Sequence, residues 1–293
     1  RGTKLSPVQT LDKAIEIATN KGVTNIYMQS GIWMYTTFTT ISIPKGLTIK
    51  GGFDSSFSSQ TGYSTLSNAS IEIDKVDRVT ISRLWVKGNT SRGIYISSSK
   101  DITIANSGVS DINSSFSYGG GVLVSYSTNI EIKDTVIHSC KVKDYGGGME
   151  VFRSYEVYVI GCTITNCIAD SDKSGTGGGG AISVESSGKL YVMNNVMLNC
   201  GIPSNSPAND SVIIFYSSFS TQVRIEGNTI GGVSLLSTYG VYEEVSISGH
   251  VVKNNTFKNV WYPYYDYVRG SLSINELNGG LAGTSEASGN VLE

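Results

Sequence analysis

Glu150 and Glu185 are the carboxylates whose type and spacing could do acid–base chemistry. Each lies in a short alternating stretch, Met149-Glu150-Val151 and Ile182-Ser183-Val184-Glu185, so each is expected to point outward from a strand with one buried face. If the two strands occupy adjacent turns of a solenoid, the carboxylates stand one turn (~4.8 Å) and two residues (~6.7 Å) apart, which is roughly 8 Å between backbones. An inverting glycosidase separates its acid from its water-activating base by ~6.5–9.5 Å. Arg153 is placed to pair with either carboxylate. The alternative is a solvated sheet face carrying a surface ion pair of little energetic weight.

Other residues suggest binding. Asp170, Asp172 and Ser174 alternate in DSDKSG, which resembles the opening of a Ca²⁺ loop, where alternate oxygens face one ion and glycine permits the turn. The acid expected at the twelfth position is replaced by Ala181, so a polar glycine-containing loop is the alternative; no cofactor beyond this possible Ca²⁺ is expected. Exposed aromatic rings suit sugars, with an apolar face for ring CH groups and a phenol for hydroxyls. Trp261, Tyr262, Tyr264, Tyr265 and Tyr267 crowd one segment, read as a loop. With Tyr145 and Phe152 they form the candidate carbohydrate-binding set, and Phe116, Tyr118, Tyr239 and Tyr242 are expected in loops along the same edge. Alternatively, the 261–267 rings fold over the last turns as a cap. Cys140, Cys167 and Cys200 take equivalent positions, where buried thiols are the expectation and a disulfide the alternative. The five-residue step from Cys162 to Cys167 is not zinc spacing. His138 reads as an outward residue and His250 as an inward one, both structural.

These residues belong to a chain of 293 with 34 glycines, 17 tyrosines and 5 prolines. Charged residues make up 16%, against a usual ~25%, and aromatics 10%, a balance unlike that of disordered chains. No apolar run approaches the ~18 residues of a membrane span. A net charge of −2 provides no basic field for nucleic acid. The chain opens at Arg1 without a leader and reads as a mature chain or an excised fragment.

What positions the candidates is internal repetition. GVLVSYSTNIEIKDTVIHSC (121–140) aligns without gaps on GMEVFRSYEVYVIGCTITNC (148–167) at an offset of 27, and again at a further offset of 33. Each unit reads apolar-x-apolar, a short gap, apolar-x-apolar, then one apolar position five residues on. Runs this short with period 2 are strands, and three per turn of about 23 residues describe a parallel β-helix. The length variation falls at one corner, just before the glycine-rich stretch. The first strand of each turn starts after the glycines, and its outward positions are Tyr95, Leu123, Glu150, Ser183 and Ile213, then Ser97, Ser125, Phe152, Glu185 and Phe215. A fixed corner carries Thr135, Cys162, Asn195, Asn228 and Asn255, where asparagine tolerates a left-handed turn and stacked amides can bond from turn to turn. Ile112, Cys140, Cys167, Cys200 and Val233 form an inward row.

Ser6-Pro7-Val8-Gln9 reads as a capping box opening an amphipathic helix over 6–22, which covers the end of the core. One domain is expected over 1–293, with the helix at 6–22, coils at 23–260, and an aromatic loop and terminal coil at 261–293. GTKLSPVQTLDKAIEIA (2–18), NIYMQSGIW and GLTIKGGFD (46–54) resemble the start of right-handed parallel β-helix proteins of the pectate-lyase-like superfamily. The GGGV, GGGM and GGAI motifs are similar to bacterial surface β-helix repeats. The resemblance covers the whole chain and implies a right-handed β-helix with ligands along the outer face of the first-strand sheet. It carries no catalytic residue across, because the superfamily's groove cluster of Asp with a Lys or Arg base is absent. The expectation is a non-catalytic, secreted or cell-surface module that binds polysaccharide or another extended polymer, or mediates adhesion. A polysaccharide lyase or glycoside hydrolase, and a structural passenger domain, are the alternatives.

Overall fold

The computed structural model describes residues 3, 7–169, 177–202, 210–216, 222–232, 239–244, 249–281 and 286–293. Its strands stack in parallel, turn upon turn, into a single β-helix. The second strands of successive coils form a ten-stranded sheet that begins at Asn25–Gln29 and ends at Glu286–Ser288. First and third strands join in an 18-stranded sheet. Where no loop is inserted at the variable corner they run on as one strand, as in Gly31–Ser42 and Ser64–Asp74. Inside lies one unbroken apolar column, built from the period-2 positions of every strand, with Ile96, Ile132, Val151, Val184 and Ile225 fully buried. Among the described residues no helix is long and apolar enough to cross a membrane.

Backbone polarity at the corners is satisfied by side-chain ladders. At the first-to-second corner, the N–H groups of Ser99, Ser127 and Ser154 each donate to the serine hydroxyl of the next coil at 3.1 Å. At the second-to-third corner, Cys162 N donates to Asn195 Oδ1, Asn195 N to Asn228, Asn228 N to Asn255 and Asn255 N to Asn290. The amides bond to one another as the sequence suggested, but the left-handed residue is the one before each rung: Asp134, Gly161, Asn194, Gly227, Asn254 and Gly289. Asn278, on the short helix Ile274–Asn278, receives the last rung with its own amide and so closes the ladder.

The N-terminal helix starts later than expected, at Leu11, and runs to Lys21. Residues 7–9 are not helical, and Ser6 lies outside the described residues. Thr10 is the N-cap, its hydroxyl accepting from Lys13 N, because it directly precedes the apolar face of Leu11, Ile15 and Ala18. Gly22 ends the helix at φ 64°. The four cysteines are free, buried thiols. Cys140, Cys167 and Cys200 follow Ile112 in the inward row, while Val233 lies outside the described residues.

Candidate functional site

The first-strand sheet sets the site. Met149–Phe152 pairs with Ile182–Glu185 in the register Glu150↔Ser183 and Phe152↔Glu185, so the two carboxylates stand on the expected diagonal. One coil further, however, Ile182 pairs with Ile213 and Glu185 with Tyr216. Ile213 and Phe215 therefore point into the core, and Ile214 and Tyr216 take the outward positions. The Val212-Ile213-Ile214-Phe215-Tyr216 run is apolar or aromatic throughout, so alternation could not fix its register, and a one-residue slip turns every side chain over.

That slip brings Tyr216 onto Glu150. Its phenol donates to Glu150 Oε1 at 2.7 Å. Glu150 is not a surface charge as expected: its side chain has no exposed surface. Burial raises its pKa to about 7, nearby Tyr216 and Ser183 hydroxyls pull it down, and the charge of Glu185 pushes it up. Below neutral pH it is a carboxylic acid. Glu150 Oε2, Ser125 Oγ and Ser183 Oγ are buried and make no hydrogen bond of ordinary geometry, although the Ser183 hydroxyl is near enough to Glu150 to favour its ionised form, and all three belong to the outward face of this sheet. Arg153 pairs with neither carboxylate. Its guanidinium lies 5.0 Å from the Phe152 ring centre and 3.5 Å from the Tyr126 hydroxyl. It sits in a left-handed backbone position, φ 45°, directly after the strand Met149–Phe152.

Tyrosines cover this face. Tyr145 stacks on Tyr216 at 4.3 Å, and Tyr118 on Tyr145 at 6.0 Å. Toward the C-terminal end, Tyr242 stacks on Tyr265 at 4.4 Å and Tyr239 on Tyr262 at 5.7 Å. The aromatic segment is not a loop: Tyr262–Asp266 is the first strand of the last such coil, paired in parallel with Tyr239–Glu243, which is likewise a strand. Alternation splits the seven expected sugar-binding residues. Tyr265 joins the outward rings, while Tyr262 has the parity of Tyr264 but is the first residue of the strand, 38% exposed, and stacks on Tyr239 there. Tyr264 opposes Val241, points inward and has no exposed surface. There its hydroxyl bonds to Glu243 and, at 3.0 Å, to His250 Nδ1, and His250 is buried on the inward side as expected. Phe152 keeps its outward place, edge-on to Tyr126 at 5.2 Å. Trp261 and Tyr267 are each 57% exposed at the two ends of the strand, the latter in the turn leading to the antiparallel Gly270–Leu272.

Ion pairs gather on the other outer face. Lys133–Glu131, Lys189–Glu156, Arg224–Glu226 and Lys253–Glu286 all lie on or beside second strands. Asp170, Asp172 and Ser174 fall outside the described residues. Among the described residues no group of three or more His, Cys, Asp or Glu is arranged to hold a metal. A separate apolar cavity of about 700 Å³ lies under the N-terminal helix, lined by Ala14, Ile26, Met28 and Trp33, and includes none of the expected site residues. The residue that sequence reasoning missed is Tyr216. Ser125 and Ser183 were placed outward without a role, and only their burial beside Glu150 marks them.

Comparison with known proteins agrees with this architecture. Residues 18–197 and 113–279 match the family described as the right handed beta helix region. No curated protein matches. Among solved structures, the Streptococcus pneumoniae surface protein and adhesin PfbA is 11% identical with a TM-score of 0.49, the match covering 96% of this chain and 92% of that one. A PL6 alginate lyase in complex with a trisaccharide is 13% identical with a TM-score of 0.51, covering 86% of this chain and 57% of that one. The catalytic domain of a GH87 alpha-1,3-glucanase with nigerose is 12% identical with a TM-score of 0.48, covering 88% and 58%.

Proposed function

The chain belongs to the right-handed β-helix family, and from that premise we propose that it is a secreted or cell-surface module that binds a polysaccharide along its first-strand face. The observation that carries the reading is the stacked tyrosines on and beside the outer face of the first-strand sheet, Tyr216, Tyr242 and Tyr265 on its strands and Tyr118 and Tyr145 at the adjoining corner. Stacked phenols give a linear sugar chain both flat apolar contact and hydroxyl partners. Ordering costs on binding are low, because the sheet beneath fixes the rings. Adhesion through a surface glycan is the same chemistry in a cellular setting.

A second reading rests on Glu150. A carboxylic acid that keeps its proton to about pH 7, diagonal to Glu185, has the protonation a general acid needs. It is fully buried with Tyr216 on one oxygen, so a glycosidic oxygen does not reach it in this conformation.

One experiment addresses both. Purified protein is mixed with insoluble cellulose, xylan, pectin, alginate and chitin, with Ca²⁺ and with chelator. Depletion of protein by a polymer without soluble sugar is expected. Release of oligosaccharide in step with protein added would replace the binding reading with the catalytic one, and neither depletion nor released sugar with any polymer would remove both.

A further inference from the structure

Three buried polar atoms on one sheet face that make no hydrogen bond of ordinary geometry are a costly arrangement, since each loses its water without a full replacement. Glu150 Oε2 and Ser183 Oγ belong to residues with no exposed surface, and Ser125 is 5% exposed. Ser183 is the direct strand neighbour of Glu150, and Ser125 stands on the preceding coil, two residues along. The other carboxyl oxygen is occupied by a phenol O–H, the same chemical group as a sugar hydroxyl.

We propose that Glu150, Ser125 and Ser183 form a subsite for an uncharged, hydroxyl-rich sugar ring, and that the Tyr216 phenol is a displaceable stand-in for one of its hydroxyls. This rests on the polysaccharide-binding reading and deepens it by naming the ligand class. The charges around the stack decide that class. Glu150 and Glu185 act on Tyr118 and Tyr216, and Asp144 and Glu244 on Tyr145. The guanidinium nearest in sequence, Arg153, is spent on Phe152 and Tyr126. A uronate carboxylate placed here meets carboxyl groups on several sides with no described cation paired to Glu150 or Glu185. An ammonium sugar is drawn by the charges of Glu185, Asp144 and Glu244, but beside Glu150 itself it meets a carboxyl that burial keeps neutral to about pH 7, and so loses its water there without a counter-charge. Uncharged hydroxyls meet neither penalty. They can accept from the protonated acid and from both serines, and can donate to the same serines. The ring displaced with Tyr216 stays stacked against Tyr145 or is replaced there by the sugar's CH face.

The test is calorimetric titration of the whole chain at pH 6 with soluble oligomers of three classes: neutral β-glucan or xylan, oligogalacturonate, and chitosan. The neutral class is expected to bind at least tenfold more tightly than either charged class. Ser183→Ala is expected to weaken neutral-sugar binding several-fold while leaving the melting temperature unchanged or raised, because it deletes a buried hydroxyl that makes no hydrogen bond of ordinary geometry in the free protein. Tyr216→Phe is expected to tighten binding several-fold by freeing the carboxyl oxygen. Tighter binding of a uronate or amino-sugar oligomer overturns the ligand class and leaves polysaccharide binding standing. Neutral-sugar affinity unchanged in both Ser183→Ala and Tyr216→Phe overturns the subsite. No binding of any oligomer sinks the underlying reading itself.

Discussion

Glu150 ties the stability of the native state to pH. In the folded protein it holds its proton to about pH 7, whereas a carboxyl in the unfolded chain releases it near 4.5. Between those values the native state binds more protons than the unfolded one, so stability is complete below about pH 4.5, falls as pH rises and levels off above about 7. The loss across the window is on the order of 3 kcal/mol. Glu150→Gln cannot ionise and should flatten this slope, making the variant the more stable protein at pH 8. Urea unfolding midpoints at pH 4.5, 6 and 8 would check this, and a variant with the wild-type slope would assign the dependence to other groups. The adjacent tyrosines in Tyr264-Tyr265 make a second test. Tyr264→Ala removes a fully buried ring bonded to His250 and should cost roughly 3–5 kcal/mol. Tyr265→Ala, on the outward stack, should cost less than half as much and instead weaken polymer binding. Equal destabilisation by the two would refute the inward–outward assignment. At this scale the sequence was informative where polar and apolar residues alternate, as at Met149–Phe152, which put Glu150 outward correctly. It was blind to burial of an outward face by rings from another coil, and it could not set the register of the strand Ser211–Tyr216, whose residues after Ser211 are all apolar or aromatic.

The coils are held in register by their corners as much as by their core. Asn228 links three levels at once: its Oδ1 accepts from Asn195 N and Nδ2, and its own Nδ2 donates to Val192 O and to Asn255 Oδ1. Asn228→Ala strands the buried Asn195 N–H and Val192 carbonyl of the preceding coil, so a destabilisation of about 2–4 kcal/mol is expected in chemical unfolding. A loss under ~0.5 kcal/mol would mean the ladder accompanies the fold without supporting it. The glycine-rich motif at the variable corner has a steric cause. A Cβ on Gly147 would stand 2.5–2.6 Å from the backbone of Ile168, and one on Gly180 would stand 1.9 Å from Gly201 N. Adjacent coils approach there too closely for any side chain, which is why these glycines recur once per turn. The repeats, most strand phases and the asparagine row were legible, since each recurs at the same place in every turn although the turns differ in length. The serine ladder escaped notice because serine is common throughout the chain, and nothing in Ser99 or Ser127 by itself distinguishes a rung from a surface hydroxyl. The helix start escaped for a related reason: Ser6-Pro7 and Thr10 both carry capping chemistry, and only packing of Leu11 against the first coil selects the second.

A solenoid turns a local contact into a repeated one, and this predicts how affinity should grow with ligand length. From Val122–Ser125 to Tyr262–Asp266, five successive parallel pairings connect six first strands. At ~4.8 Å per step the face is ~24 Å long. Rings stand on it near both ends, Tyr118 and Tyr145 over the early coils and Tyr239, Tyr242, Tyr262 and Tyr265 over the last. A short oligomer can engage one group of rings at a time. A chain that spans both makes its second contact intramolecularly, at an effective concentration far above that of free ligand. Affinity for a homologous oligosaccharide series should therefore rise steeply until the extended ligand reaches about 24 Å, by one to two orders of magnitude overall, and then level off. Tyr242→Ala with Tyr265→Ala should remove the rise while leaving the affinity of the shortest oligomers for the Glu150 end unchanged. Titration of the series against wild type and the double variant measures both effects. An affinity that climbs without a plateau, or that is flat from the shortest member onward, would confine recognition to one end of the molecule and count against a face that reads an extended chain.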